Sequence, residues 1–199
     1  PRSDIRLMIM LANDHGFRAG TVVSLEIDCL TEDADGFPAL RYWNRKRTRE
    51  RMHPIRNPEL PILIREQQNV ARSRHPETPW LFPKAVGNAS GARHQPANTL
   101  NYQLQTWLGK LNLTTPDGQP VRVTLHQFRH TFGTRELNSG VSQEVVQELL
   151  DHEDAAMTRT YARLSNKNLR IEFLKGDRFN VMGERLEELL PDSPLSDLA

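Results

Sequence analysis

The sequence predicts a mainly α-helical domain carrying one small antiparallel β-sheet. Apolar residues recur at helical spacing in stretch after stretch of the chain. Only residues 37–55 read as a pair of strands, with the turn signal Asp35-Gly36 just ahead of them. At 199 residues and 37% hydrophobic content, the chain can bury one good-sized core or two small ones.

Ser3 is placed to cap a first helix over residues 4–13, with Ile5, Met8, Ile9 and Ala12 on one face. Gly16 ends it. A short second helix is expected over residues 18–25. The hairpin follows, with strands over residues 37–43 and 50–55 joined by the basic tip 44–49. Pro58 and Pro61 open a helix running to about residue 73. Residues 75–95 are rich in Pro, Gly, Ser and Asn and read as a long loop, interrupted by a short buried piece at Trp80-Leu81-Phe82-Pro83. A helix over residues 98–111 carries Leu100, Leu104, Trp107, Leu108 and Leu111 as its apolar stripe. A turn at 114–119 leads to a helix capped by Thr124, which stops at Asn138-Ser139-Gly140. Ser142 caps the next helix, with Val145, Val146, Leu149 and Leu150 apolar. Further helices are expected over residues 155–164 and 181–190, and residues 191–199 read as a disordered tail. Of the tyrosines, Tyr42 and Tyr102 are expected in the core.

No apolar run is long enough to span a bilayer, and no signal-peptide pattern is present. The single cysteine, Cys29, excludes an internal disulfide and a cysteine-based metal cage, and it reads as a buried thiol. A reducing, cytoplasmic setting fits that usage. The formal net charge is only +1, but its distribution is uneven. Arg41, Arg45, Lys46, Arg47, Arg49, Arg51 and Arg56 face a single acid, Glu50, whereas acids prevail from Glu172 onward. Such a block inside a near-neutral chain points to a polyanion, although a solvated charged hairpin has the same composition.

The most informative stretch is Thr124-Leu125-His126-Gln127-Phe128-Arg129-His130-Thr131. Thr124 and Gln127 form a capping box, which makes His126 and Arg129 neighbours on the first turns of a helix. Free N–H groups and the helix dipole favour an anion at that end. Imidazole and guanidinium presented together there suit a phosphate. Alone, these eight residues also fit a surface helix with a stray His and Arg.

Other segments narrow the choice. Phe17-Arg18-Ala19-Gly20 with Val23-Ser24-Leu25-Glu26-Ile27-Asp28, Lys46 with Arg49-Glu50-Arg51-Met52-His53-Pro54-Ile55, His126-Gln127-Phe128-Arg129-His130-Thr131, Leu149-Leu150-Asp151-His152, and Tyr161 stand in that order. Together they resemble the motif set of the tyrosine recombinase (phage integrase) family, over about residues 5–164. Tyr42-Trp43 ahead of an Arg-rich tip is similar to the transposase-like members. The resemblance implies the tyrosine recombinase catalytic-domain fold, with a core over residues 1–164. It also implies a C-terminal segment, 165–199, whose helix at about 181–190 docks on a neighbouring protomer. The chain starts at Pro1 without Met, and the family's N-terminal DNA-binding domain is expected to lie outside it.

The implied reaction is strand cleavage and rejoining of double-stranded DNA through a 3′-phosphotyrosyl intermediate. Arg18 and Arg129 would clamp the phosphate oxygens, and Tyr161 would be the nucleophile. Lys46 would protonate the departing 5′-oxygen. It is preferred over its arginine neighbours because a guanidinium does not give up its proton. His126 would exchange a proton with the tyrosine or bond the phosphate, and His152 would bond the phosphate and pack the site. Arg41, Arg45, Arg47, Arg49, Arg51 and His130 are the expected DNA contacts. No metal or other cofactor is required, because the cations are side chains. The expected partners are DNA and further copies of the chain in a synapse assembled on DNA. The expected location is the bacterial cytoplasm, at the nucleoid.

Two departures from the family pattern stand out. Thr21 replaces the acid usual three residues after the first arginine, and Asp151 replaces the glycine usual before the second histidine. They keep open a recombinase-like DNA-binding module without catalysis. A metal-dependent hydrolase built on His126, His130 and His152 is a weaker alternative, because Gln127 stands where such a helix needs a glutamate. A type IB topoisomerase is disfavoured by His126, where that family usually has Lys or Arg.

Overall fold

The computed structural model describes residues 3–44 and 48–151. The expectations at Arg45, Lys46, Arg47, His152 and Tyr161, and the helices proposed at 155–164 and 181–190, lie outside the described residues.

Helix α1 (Ser3–His15) is the centre of the fold. Ile5, Leu7, Met8, Leu11 and Ala12 are all buried, so the apolar stripe is wide enough to meet neighbours on several sides. It packs on α2 (Ala19–Val23), α3 (Glu59–Arg74), α4 (Ala97–Lys110) and α5 (Leu125–Asn138). Helix α4 contributes the fully buried Leu100 and Leu104, and α3 contributes Leu60 and Ile64. Helix α6 (Gln143–Leu149) closes the described chain, capped by the Ser142 side chain as expected. With α5 it forms a separate small cluster of Phe132, Leu137, Val146 and Leu150.

The sheet is antiparallel and has three strands in the order β1 (Leu30–Glu32), β2 (Pro38–Asn44) and β3 (Arg49–Pro54). The hairpin β2–β3 is the one expected, shifted by one residue. In its register Tyr42 lies opposite Arg51 and Leu40 opposite His53. Strand β1 was not expected, since three residues carry no readable alternation. The Asp33 carboxylate builds the turn between β1 and β2 by accepting from the Asp35 and Phe37 amides at 3.0 and 2.9 Å.

The long loop is pinned where its apolar piece was expected. Leu81 and Phe82 are buried, and the Leu81 amide donates to the Leu25 carbonyl at 2.9 Å. Three expectations about packing fail, the first being Val145, expected on the apolar face of α6 but 49% exposed. Tyr102 is 71% exposed, because α4 turns that position away from α1, and Leu111 lies just past the helix end at 44%.

Gly16 ends α1 in the left-handed region, at φ +63°. A Cβ there would meet Leu150 Cδ2 and Phe132 Cδ1 at 2.8 Å each. The turn thus admits α5 and α6 only because no side chain stands in the way. Gly16→Ala is therefore expected to destabilise the fold by about 2–4 kcal/mol, from overpacking plus the left-handed backbone. Chemical denaturation measures it, and a loss below about 1 kcal/mol would contradict this account of the packing.

Candidate functional site

The site is built on the first turns of α5. The Thr124 hydroxyl accepts from the Gln127 amide at 3.3 Å, and the Gln127 side-chain oxygen accepts from the Thr124 amide at 2.6 Å. This is the expected capping box, and it fixes the phase of the helix. His126 is exposed, Arg129 is buried and His130 is half-buried. The His126 and His130 rings meet edge to face with centroids 4.7 Å apart.

Arg129 is only 4% exposed. Its guanidinium donates to the Gly16 carbonyl at 2.8 Å and to the Leu150 carbonyl. A buried charge is tolerated only when it finds polar partners, and these two carbonyls are among them. Arg18, two residues beyond Gly16, is the exposed N-cap residue of α2. Its charge reaches the same place. The pKa of His126 is lowered, first by partial burial and then by the positive charges of His130, Arg129 and Arg18. Thus Arg18, His126, Arg129 and His130, more than a hundred residues apart at the extremes, form one cationic locus. Because the Arg18 charge helps lower the His126 pKa, Arg18→Ala should raise it. An NMR titration of the imidazole checks this, and an unchanged pKa would separate the two residues.

The hairpin arginines divide into two kinds. Arg41 donates to Asp28 at 2.9 Å and lies 3.6 Å from Glu50. Arg49 is exposed and 3.8 Å from Glu148. Arg51 is different. Its side chain is 13% exposed, pairs with the Glu148 carboxylate, and lies 3.1 Å from Asp151. Arg51, one of the expected DNA contacts, is here engaged by two carboxylates of the α6 end. Tyr42 joins them, its hydroxyl donating to Asp151 at 2.7 Å. Sequence reasoning missed this network. Its only signal was the odd aspartate at position 151.

A second unforeseen feature lies beneath the site. His15 and His53 are buried, with their Nδ1 atoms 3.0 Å apart, against Phe17, Phe132 and a cleft of about 340 Å³. Burial holds the His53 pKa down to about 4 and the His15 pKa well below its ordinary value. Above pH 6.5 both rings are neutral folded or unfolded, and pH has no effect through them. Below it the unfolded chain takes up protons that the folded chain refuses, so stability falls. The loss runs from about pH 6.5 to about 4 for His53 and approaches about 1.4 kcal/mol per pH unit for each histidine. Denaturation midpoints between pH 7 and 5 should therefore fall less steeply in His53→Gln than in wild type. Parallel slopes would rule out this linkage.

Cys29 is fully buried and its thiol is pushed up to about 12, which makes it inert packing, as expected. Among the described residues, no three His, Cys, Asp or Glu side chains group as metal ligands, and no helix is long and apolar enough to cross a membrane.

The chain is similar to known proteins. The model of the Phage integrase family matches residues 2–168. Transposase B from transposon PsiTn554 of Staphylococcus aureus is 32% identical over 171 residues, which are 86% of this chain and 26% of that protein. The tyrosine recombinase XerA of Pyrococcus furiosus is 28% identical over 165 residues, 83% of this chain and 52% of that one. The chain thus spans between a quarter and about half of these relatives. Among solved structures, the XerH site-specific recombinase bound to a palindromic difH substrate, in a post-cleavage complex, superposes with a TM-score of 0.66. The match has 20% identity and covers 86% of this chain and 45% of that one, a likeness of fold.

Proposed function

The chain belongs to the Phage integrase family, and from that membership and the cationic locus we propose that it is the catalytic domain of a tyrosine site-specific recombinase acting on double-stranded DNA. The observation that carries this reading is the bond from Arg129, on the same helix end as His126, to the Gly16 carbonyl two residues before Arg18. A phosphodiester resists attack because its oxygens are already negative. Two guanidiniums beside a helix N-terminus offset that charge and the further charge of the transition state. Removing one such donor costs on the order of 10²–10³ in rate.

In the proposed reaction the Tyr161 oxygen attacks phosphorus. The bond from phosphorus to the 5′-oxygen breaks, and a 3′-phosphotyrosyl link forms. The phenolic proton passes to His126, which partial burial and its cationic neighbours keep neutral and able to accept it. The departing 5′-oxygen takes a proton from Lys46. His152 bonds a phosphate oxygen. The reverse sequence on a new 5′-hydroxyl rejoins the strand, so no outside energy source is needed. Arg45, Arg47 and Arg49 at the hairpin tip, with Arg41 and His130, hold the DNA backbone, and binding should weaken as salt rises. Several copies assemble on DNA through residues 181–190. Cleavage of a bacterial genome or mobile element places the protein in the cytoplasm, at the nucleoid.

The test is a suicide duplex nicked beside the scissile phosphate, drawn from the ends of the host element. Wild type should form a protein–DNA adduct that survives a denaturing gel, and Tyr161→Phe should form none. An adduct that persists in Tyr161→Phe would name the wrong nucleophile. DNA binding with no adduct from either protein would replace this reading with a binding module.

A further inference from the structure

The hairpin and the corner after α6 meet through side chains to which the proposed reaction gives no part. Asp151 stands at φ +53°, a left-handed conformation that costs most residues about 1–2 kcal/mol and that Asp and Asn tolerate best. Its side chain is 10% exposed. One carboxylate oxygen accepts from the Tyr42 hydroxyl at 2.7 Å, and the other lies 3.1 Å from Arg51 Nε. Arg51 also donates to the Glu148 carbonyl at 2.8 Å, closing the C-terminal end of α6. Tyr42 is 4% exposed, and burial beside the Asp151 carboxylate raises its pKa, which keeps its hydroxyl a donor.

Two features make this more than a surface ion pair. Tyr42 and Arg51 are direct cross-strand partners, so both strands of the hairpin hold the same carboxylate. Leu150, the residue before it, has its carbonyl held by Arg129. The corner is thus gripped from the hairpin on one side and from α5 on the other. In sequence the hairpin strands lead into Lys46, and the corner leads into His152.

We propose that Asp151 is a positioning residue for strand cleavage: with Tyr42 and Arg51 it fixes the corner leading into His152 to the hairpin leading into Lys46. The proposal rests on the recombinase reading above. The carboxylate does two jobs that a glycine would divide. Glycine accepts the left-handed backbone without strain but ties the corner to nothing. Asparagine keeps the backbone and the shape but loses the charge that holds Arg51.

The experiment uses the full chain and the nicked suicide duplex, with Asp151→Asn, Asp151→Gly, Tyr42→Phe and the double variant Tyr42→Phe/Asp151→Asn. Single-turnover adduct formation at saturating DNA, DNA affinity and thermal midpoint are read for each. Each single variant should slow adduct formation by about 10- to 100-fold, the scale of a small misplacement of reacting groups. DNA affinity should change less than about threefold, and the double variant should be no slower than its slower parent, as coupled neighbours behave. Asp151→Gly should be slow although its backbone strain is relieved, which a merely structural role would not produce. Wild-type rates in the Asp151 variants, losses that multiply in the double variant, or losses in affinity alone would overturn the proposal. Tyr42→Phe removes only a hydroxyl and decides the matter if an Asp151 variant fails to fold. A wild type without adduct sinks the recombinase reading and the positioning role together. A normal wild type with unaffected Asp151 variants sinks the positioning role alone.

Discussion

The guanidinium of Arg129 is 4% exposed, and the carbonyls of Gly16 and Leu150 hold it. A charge removed from water to this degree must find polar partners or neutralise, and arginine does not neutralise. The fold therefore has to bring two backbone oxygens to one point. One comes from the turn after α1, the other from the end of α6, and the helix carrying the cation runs between them. That single requirement sets three chain segments in register. It also explains Gly16, whose missing side chain leaves room for Phe132 and Leu150. Arg18 follows two residues after one carbonyl, and Asp151 follows one residue after the other. The proposed phosphate clamp and the corner beyond α6 are thus placed by the same bonds.

The surrounding electrostatics follow from this placement. A buried cation is poorly screened, so its field reaches neighbours that a surface arginine would not affect. His126 feels it, together with Arg18 and His130, and is biased towards the neutral imidazole. An incoming phosphate supplies the opposite charge and reverses the bias. In the proposed reaction the imidazole would then take a proton when the anion is present and release it when the anion leaves. A histidine far from such cations would titrate near its ordinary value and respond less to the substrate.

Local chemistry made much of the fold legible. The Thr124 capping box, the Ser142 cap and the apolar stripes of α1 and α4 each act within a few residues, so sequence spacing records them directly. The hairpin was readable because burial alternates along β2. What escaped depends on partners far away in sequence. Strand β1 has three residues and exists because β2 offers it hydrogen bonds. Tyr102 has the composition of a core residue, and only the rotation of α4 against α1 decides that it faces water. The hydrogen bond of Tyr42 and the ion pair of Arg51 to Asp151 cross about a hundred residues. Nothing local announces them except an aspartate where a left-handed turn favours glycine. The candidate site was legible as a set of residue types, since His126 and Arg129 share one helix end. The internal duty of Arg129 was not, because a motif names a residue without naming its hydrogen bonds.

The basic block at Arg41–Arg56 shows what a count of charges omits. Seven cations face one acid in sequence, which reads as an undivided surface for a polyanion. In three dimensions Asp28, Glu136, Glu148 and Asp151 come from elsewhere to meet Arg41, Arg56, Arg49 and Arg51. These pairings differ in how readily they yield. Arg49 is exposed and 3.8 Å from its carboxylate, and a surface pair of that kind is worth about 0–1 kcal/mol. A phosphate can take its place at little cost. Arg51 is 13% exposed and engages two carboxylates, and releasing it would strand a buried Asp151. The hairpin is therefore graded. Arg49, nearest the tip among the described residues, can give up its exposed pair at little cost, whereas Arg51, nearer the body of the domain, holds the hairpin against α6.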